Sequence, residues 1–467
     1  GSGILWVYED TRAELAEVRR TAEEIAIASL TGLSDSVDTA GLAHPVAVWN
    51  SLSRERDDLV EVDLPADATV ARAPGSHAVP LQPVGGGRAV FRARVPAFGY
   101  RTYDLVAGEP TDGLVPAEAG PRHLANGILR VELDDNGLLS SIVDERVGRQ
   151  VLADGERGNL LQLHPAYPNY FDAWDIDATY RRRTEDLTDV DAVEVTESGP
   201  VRAALRIRRS FGRSSITQTV SLLAGSPVIR VDNEVDWQER NRLLKVAFPV
   251  AVHSPRASYE IQYGHVERPI HVNTSWEAAR FEVCAHKWAD WSEAGYGVAL
   301  LNDCKYGYDV TKAGIRLSLL RSPTWPDPEA DRGTHRFAYG LLPHVGDLRA
   351  AGVIDEGYRF NVPLRAVPTT PHDGTRPAEG SFVTVDAPNV CVEVVKSADD
   401  GSGALILRLY EAWGGRGPVT VTAPHCIGRA TRTDLLEREL GPVEVNGASV
   451  RLELHPFEIV TLRLEAA

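Results

Sequence analysis

Ile128-Leu129-Arg130-Val131-Glu132-Leu133, then Asp134-Asp135-Asn136-Gly137, then the apolar-rich run 138–143, is the stretch that decides the fold class. Apolar and charged residues alternate with the period of a half-buried strand, and the Asn-Gly step supplies a tight turn, so the stretch reads as an antiparallel hairpin. The same alternation returns at 201–211, 215–222, 228–237, 244–250 and 296–301. From about 126 to about 363 no helical pattern interrupts it, which predicts two large stacked antiparallel sheets.

Smaller β units flank this region. Val46, Val48, Val60, Val62 and Leu64 alternate with polar neighbours, as do 89–95 and 101–105. Beyond a Pro-, Gly- and Thr-rich linker at 368–380, strands are expected at 390–395, 404–410, 419–421, 450–454 and 459–464. The beginning differs. Leu5, Tyr8, Leu15, Val18, Ala22, Ile25 and Ile27 keep near-helical spacing, with Gly32 as the expected stop. A single amphipathic helix cannot bury its own stripe, so a packing partner outside this β-rich chain is expected. The domains expected are 1–33, a terminal helix; 40–110, a small β domain; 120–365, the large sandwich; and 370–467, a C-terminal sandwich.

Composition narrows the function classes. Hydrophobic residues make up 43% and charged residues 25%, and no apolar run approaches the ~20 residues of a membrane span. A formal charge of −17 with dispersed basic residues argues against nucleic acid as a partner. The runs Tyr180-Arg181-Arg182-Arg183 and 206–209 read as solvated strand faces. Cys284, Cys304, Cys391 and Cys426 lack CxxC spacing and read as free thiols of a cytoplasmic protein, with a Cys284–Cys304 pair as the alternative. There is no methionine, and the abrupt Gly1-Ser2-Gly3 opening reads as that of a fragment.

Candidate chemistry concentrates in FEVCAHKWADWSEAGYGVALLNDCKYGY, residues 281–308, where charged, amide and aromatic groups alternate along strands as on a sugar-facing surface. An indole face stacks on the apolar face of a pyranose, and Arg donates paired bonds to hydroxyls. Asp290 and Asp303 are either paired carboxylates across a hairpin or acceptors of backbone bonds in turns. Trp174, between Asp172 and Asp175, is either a packed strand tryptophan or cleft lining. His265, His271, His286, His335 and His344 are too scattered for a metal motif, and the glycine clusters at 85–87 and 414–417 sit between strands as hairpin turns. No GxSxG elbow is present.

Together with LSLLRSPTWPDPEAD at 317–331, FDAWDID at 171–177, LLKVAFP at 243–249, IQYG at 261–264, NTSW at 273–276, Tyr410-Glu411-Ala412 and Pro456-Phe457-Glu458-Ile459, the 281–308 stretch closely resembles the C-terminal half of glycoside hydrolase family 38 α-mannosidases of the cytosolic and vacuolar type. The resemblance runs over nearly the whole chain. It implies a mainly β, multi-domain fold, with a large galactose-mutarotase-like supersandwich, smaller β units and one N-terminal helix left from a helical bundle. It also implies a parent enzyme that hydrolyses terminal α-linked mannose with retention, by a nucleophile and an acid. Zinc or another divalent metal is implied in the parent, held by an N-terminal barrel that precedes Gly1-Ser2, with no metal held by this chain. The chain alone is then expected to be inactive.

On the same resemblance His286, Lys287 and Trp288 form a turn approaching the substrate, Arg321 reaches toward the cleft, and Asp290 joins them as a substrate-binding residue. The implied partners are α-mannoside glycans and the barrel of the same protein, with no membrane, and self-association is left open. Two other readings remain: a carbohydrate-binding sandwich with Trp288, Trp291 and Trp325 as its platform, and an aldose-mutarotase-like enzyme, which needs a convergent His and Glu pair.

Overall fold

The computed structural model describes residues 3–467. Gly1 and Ser2, at the expected junction with a metal-bearing half, lie outside the described residues. The chain is mainly strand, and its contacts divide it into two compact units.

The first unit comprises Gly113–Glu260 and Glu267–Asn361, together with the first part of the opening helix. Alternation at 201–237 becomes a meander of Arg202–Phe211, Ser214–Leu223 and Ile229–Trp237, paired in antiparallel register from Arg202↔Leu223 to Phe211↔Ser214. The sheet continues through Gly333–Val345, Tyr296–Asn302 and Trp288–Glu293 within a nine-stranded order. A six-stranded antiparallel sheet runs Glu185–Asp186, Leu160–Pro165, Arg242–Phe248, Gly314–Arg321, Gly307–Thr311, Val283–Cys284.

The two sheets stack. Tyr308 of the smaller sheet bonds the Leu300 carbonyl of the larger at 3.4 Å, and the Phe248 and Tyr339 rings meet edge to face at 6.1 Å. Between them lies a buried polar network. The Gln218 amide donates to Asn233 at 2.9 Å and to the Tyr339 hydroxyl at 2.8 Å, and Tyr339 donates to Asn159 at 2.5 Å. Each member has a partner, so burial costs little and the stacking register is specified.

The hairpin around Asn136-Gly137 forms as Leu129–Leu133 and Leu139–Asp144, with Gly137 at φ 66° and Asp134 accepting from the Asn136 and Leu138 amides. Its turn is tied down by Arg209, which is 1% exposed and donates to the Asn136, Thr188 and Asp189 carbonyls. The expectation that 206–209 is wholly a solvated face is therefore corrected at Arg209. Also unexpected is the helix Val353–Asn361, because its nine residues give too few turns for a periodic signal. Gly357 lets it lie on Trp288; a Cβ there would sit 2.6 Å from the indole.

The second unit holds residues 27–112 and 362–467 with the short insertion Ile261–Val266. Pro45–Asn50 pairs with Gly99–Val106 and with Arg365–Pro368, so sequence on both sides of the large sandwich shares one sheet. Its last part is a five-stranded sheet, Val390–Ser397, Leu405–Glu411, Ile459–Ala466, Ile427–Thr433, Glu439–Val443, beside a four-stranded sheet containing Gly417–Thr422 and Ser449–Leu454. Leu407, Leu409, Val421, Val450 and Leu462 form its dry core.

Buried Glu411 closes this sandwich. It accepts from the Asn389 amide at 2.9 Å, the Trp413 and Gly414 backbone N–H groups at 3.0 and 2.7 Å, and the Phe457 N–H at 3.1 Å. Two motifs far apart in sequence, Tyr410-Glu411-Ala412 and Pro456-Phe457, are thus one structural clasp.

The opening helix is Leu5–Ser34, running two residues past the expected stop at Gly32. Its stripe is bare: Leu15, Val18 and Ile25 are 61%, 62% and 61% exposed. Ser34 is its buried residue.

Candidate functional site

The six-stranded sheet carries a row of charged side chains on the face away from the core. Lys245 pairs in register with Ser318, and Ser318 with Gly307, which places Lys245, Ser318, Arg316 and Asp309 on one surface. The segment after Leu160–Pro165 folds back over it, bringing Tyr180, and Glu282 enters just before Val283–Cys284.

Lys245 is fully buried and pairs with both Glu282 and Asp309, the latter at 2.7 Å. Arg316 holds Asp309 at 3.0 Å, and Tyr180 donates to Glu282 at 2.5 Å. Burial alone would raise the Asp309 carboxyl, yet Lys245 and Arg316 overcome it and hold the acid at about 2. Burial likewise opposes the Lys245 charge, and the Asp309 and Glu282 carboxylates more than offset it, raising the ammonium above its ordinary value. Removing one partner of such a buried set would strand a charge.

A cavity of about 360 Å³ opens at this cluster, lined by Ile176, Leu243, Glu282, Tyr306, Ser318 and Arg321, among others. Arg321, at the end of Gly314–Arg321, donates to Asp172 at 3.4 Å, and the same carboxylate accepts the Thr324 N–H at 2.7 Å. Asp172 belongs to a loop turned by Phe171 at φ 55°, and that loop displays aromatics to solvent: Tyr167, Tyr170, Phe171 and Trp174 are all about 70% exposed or more; Trp325, in the segment after Gly314–Arg321, is 66% exposed. The alternative of a packed Trp174 is thereby corrected.

Of the residues expected to bind substrate, Arg321 lines the cavity, and His286 sits edge-on to Tyr306 at 5.3 Å. The others are placed elsewhere. Trp288 is 1% exposed beneath Val353–Asn361, so its indole has no free face for a sugar. Asp290 is buried, 2.8 Å from His344 Nε2 and accepting from Ser292 at 2.6 Å. Lys287 is engaged with Glu260 at 2.7 Å and lies over the Tyr358 ring at 4.3 Å. Trp291 is 2% exposed, which leaves Trp325 as the sole member of the three-tryptophan platform with an open face. Asp303 accepts the Ala338 N–H at 2.9 Å, a turn role.

Glu282, Tyr306, Ser318 and Lys245 lie within the quoted motifs, but alternation alone does not single them out. The available signal was Lys245 itself, a lone charge within the apolar run LLKVAFP. The cysteines are all free. Among the described residues no group of three or more His, Cys, Asp or Glu gathers to hold a metal, and no helix is long and apolar enough to cross a membrane.

Residues 124–329 match the glycosyl hydrolases family 38 C-terminal domain, and residues 389–462 match the family 38 C-terminal beta sandwich domain. The chain is 40% identical to human alpha-mannosidase 2C1 over 394 residues, 81% of this chain and 38% of that protein. It is 34% identical to alpha-mannosidase G of Dictyostelium discoideum over 383 residues, 78% of this chain and 34% of the relative. This chain therefore spans well under half the length of these curated relatives. The crystal structure of an alpha-mannosidase from Enterococcus faecalis superposes with a TM-score of 0.78 at 18% identity, over 99% of this chain and 61% of that one, and shares its fold.

Proposed function

Because this chain belongs to glycosyl hydrolase family 38, as a portion carrying that family's C-terminal domains, we propose that it forms one wall of the substrate cleft of a retaining α-mannosidase acting on terminal α-linked mannose of glycans. The observation that carries the reading is the Arg321–Asp172 pair at the mouth of a sugar-sized cavity, beside exposed Trp174 and Trp325. Arginine held by a carboxylate is oriented for hydroxyls, and open indole faces suit pyranose C–H surfaces.

The metal implied by the resemblance finds no donor set among the described residues, so no step is assigned to it in this chain. The partner we propose for the bare stripe of Leu5–Ser34 is the catalytic barrel of the same protein. Free thiols accord with a reducing cytoplasm. The sandwich-lectin reading is weakened by burial of Trp288 and Trp291.

In the full-length enzyme, Arg321→Ala is expected to lower kcat/KM by roughly 10- to 1000-fold, about 1.4 to 4 kcal/mol of transition-state binding, with little change in melting temperature. Trp288→Ala is expected to do the reverse, costing about 3 to 5 kcal/mol of stability through the void beneath the helix. Steady-state kinetics on an aryl α-mannoside, paired with denaturant melts, separates the two. Equal losses of activity and stability in Arg321→Ala would reduce that residue to scaffold.

A further inference from the structure

We infer that Glu282 is a hydroxyl-accepting residue of a neutral hexopyranose subsite built into this chain, a deepening that rests on the α-mannosidase reading above. Its two carboxylate oxygens are differently employed. Oε1 takes both the Tyr180 hydroxyl, at 2.5 Å, and the buried Lys245 ammonium. Oε2 has one long contact, 3.4 Å from Ser318 Oγ. The anchored oxygen fixes the group, and the other retains lone pairs for a donor. The side chain is 12% exposed and lines the 360 Å³ cavity.

The rest of the cavity complements it. Arg321 Nε is buried without a partner, a donor on the same lining. Tyr306 is half exposed and offers a ring face. Gly307 and Ser318 keep the floor low: a Cβ on Gly307 would sit 3.1 Å from Ser318 Cβ and 3.9 Å from Glu282 Oε2. An acceptor, a donor and an aromatic face suit a polyhydroxylated ring, and a recess of about 360 Å³ lies at the small end of the roughly 300 to 1,000 Å³ of ligand sites, which suits a single sugar ring. A carboxylate in the lining repels uronic acids and sugar phosphates, so the selected class is neutral. Lys245 is a positioning residue here: its ammonium balances the Glu282 charge and holds Oε1, which turns Oε2 toward the cavity.

The test uses this chain with methyl α-mannoside, followed by saturation-transfer NMR and by the rate of Cys284 alkylation with iodoacetamide. Cys284 is a free, exposed thiol of the cavity lining, and exposed Cys426 serves as internal control. The sugar is expected to slow alkylation at Cys284 and not at Cys426, and both Glu282→Gln and Gly307→Ala are expected to weaken binding at least tenfold. Gly307→Ala removes no charge from the ionic cluster, so it decides the matter if Glu282→Gln fails to fold. No binding by the wild-type chain at tens of millimolar, an unprotected Cys284, or wild-type affinity in Gly307→Ala overturns the proposal. If Arg321→Ala cripples the full-length enzyme while Glu282→Gln and Gly307→Ala bind normally, the cleft-wall reading stands and this subsite falls. Weakened binding in both variants, with Arg321→Ala fully active, upholds the subsite and removes the cleft-wall reading.

Discussion

His164 sits at the buried edge of the ionic cluster, 3.1 Å from the Arg183 carbonyl and edge-on to Tyr180 at 4.9 Å. Burial pushes its imidazole down to about 4 from an ordinary 6.5, against the pull of the Arg183 carbonyl. The fold therefore holds it neutral where the unfolded chain would protonate it. Its contribution is fully present above about pH 6.5 and is lost as pH falls from there toward 4, on the order of 3 kcal/mol. Urea midpoints at pH 7.5 and 4.5 are expected to differ less in His164→Gln than in the wild type; identical slopes would show that His164 is not the titrating group. Below pH 4 the depressed Asp309 adds the same sign of loss as its carboxyl protonates toward pH 2. At this scale the site was half legible. Period-two alternation tells that Trp288 and Asp290 share one face of a strand, not whether that face is core or cleft, and the helix on Trp288 decided for core.

Among the elements, Leu5–Ser34 is held by local forces: propensity, and exposed pairs such as Arg20 with Glu24 at 2.6 Å. Nothing apolar in it is buried along Leu15, Val18 and Ile25, so its hydrogen bonds open by fraying without first breaking a core. Limited trypsin digestion of this chain is expected to cut first at Arg12, Arg19 or Arg20, and adding the proposed barrel in trans is expected to slow those cuts. Early cleavage within Arg202–Phe211 instead, with the helix intact, would show the stripe to be protected. Helical periodicity over seven apolar positions made this element legible. Val353–Asn361 was not, since one short helix between strands carries too few repeats, and Ser275–Ala279 announces itself only through the Thr274–Glu277 capping box.

For the molecule as a whole, alternation placed most strands within a residue or two, as at Arg202–Phe211 and Tyr296–Asn302. Partner choice was not encoded locally. Gly333–Val345 lies centrally between Ile229–Trp237 and Tyr296–Asn302, and Pro45–Asn50 reaches across more than three hundred residues of sequence to Arg365–Pro368. Such pairings follow from which buried faces fit together. Glu411 shows how the far ends of a sandwich are matched by polar means. Glu411→Ala leaves three backbone N–H groups and the Asn389 amide without their acceptor, and is expected to cost about 3 to 5 kcal/mol, read from urea melts of the wild type and variant. A loss under about 1 kcal/mol would mean that water replaces the carboxylate.

That clasp also has a mechanical consequence. Leu405–Glu411 and Ile459–Ala466 run antiparallel, and Glu411 grips Phe457 just beyond the inner end of the last strand. When a threading unfoldase pulls on the C terminus, Ile459–Ala466 must be stripped from Leu405–Glu411 on one side and from Ile427–Thr433 on the other, and the Phe457 N–H held by Glu411 is met just beyond the strand. Glu411 thus adds a polar tether just past the point where the Leu405–Glu411 ladder ends, in series with the two ladders and the core side chains Val460, Leu462 and Leu464.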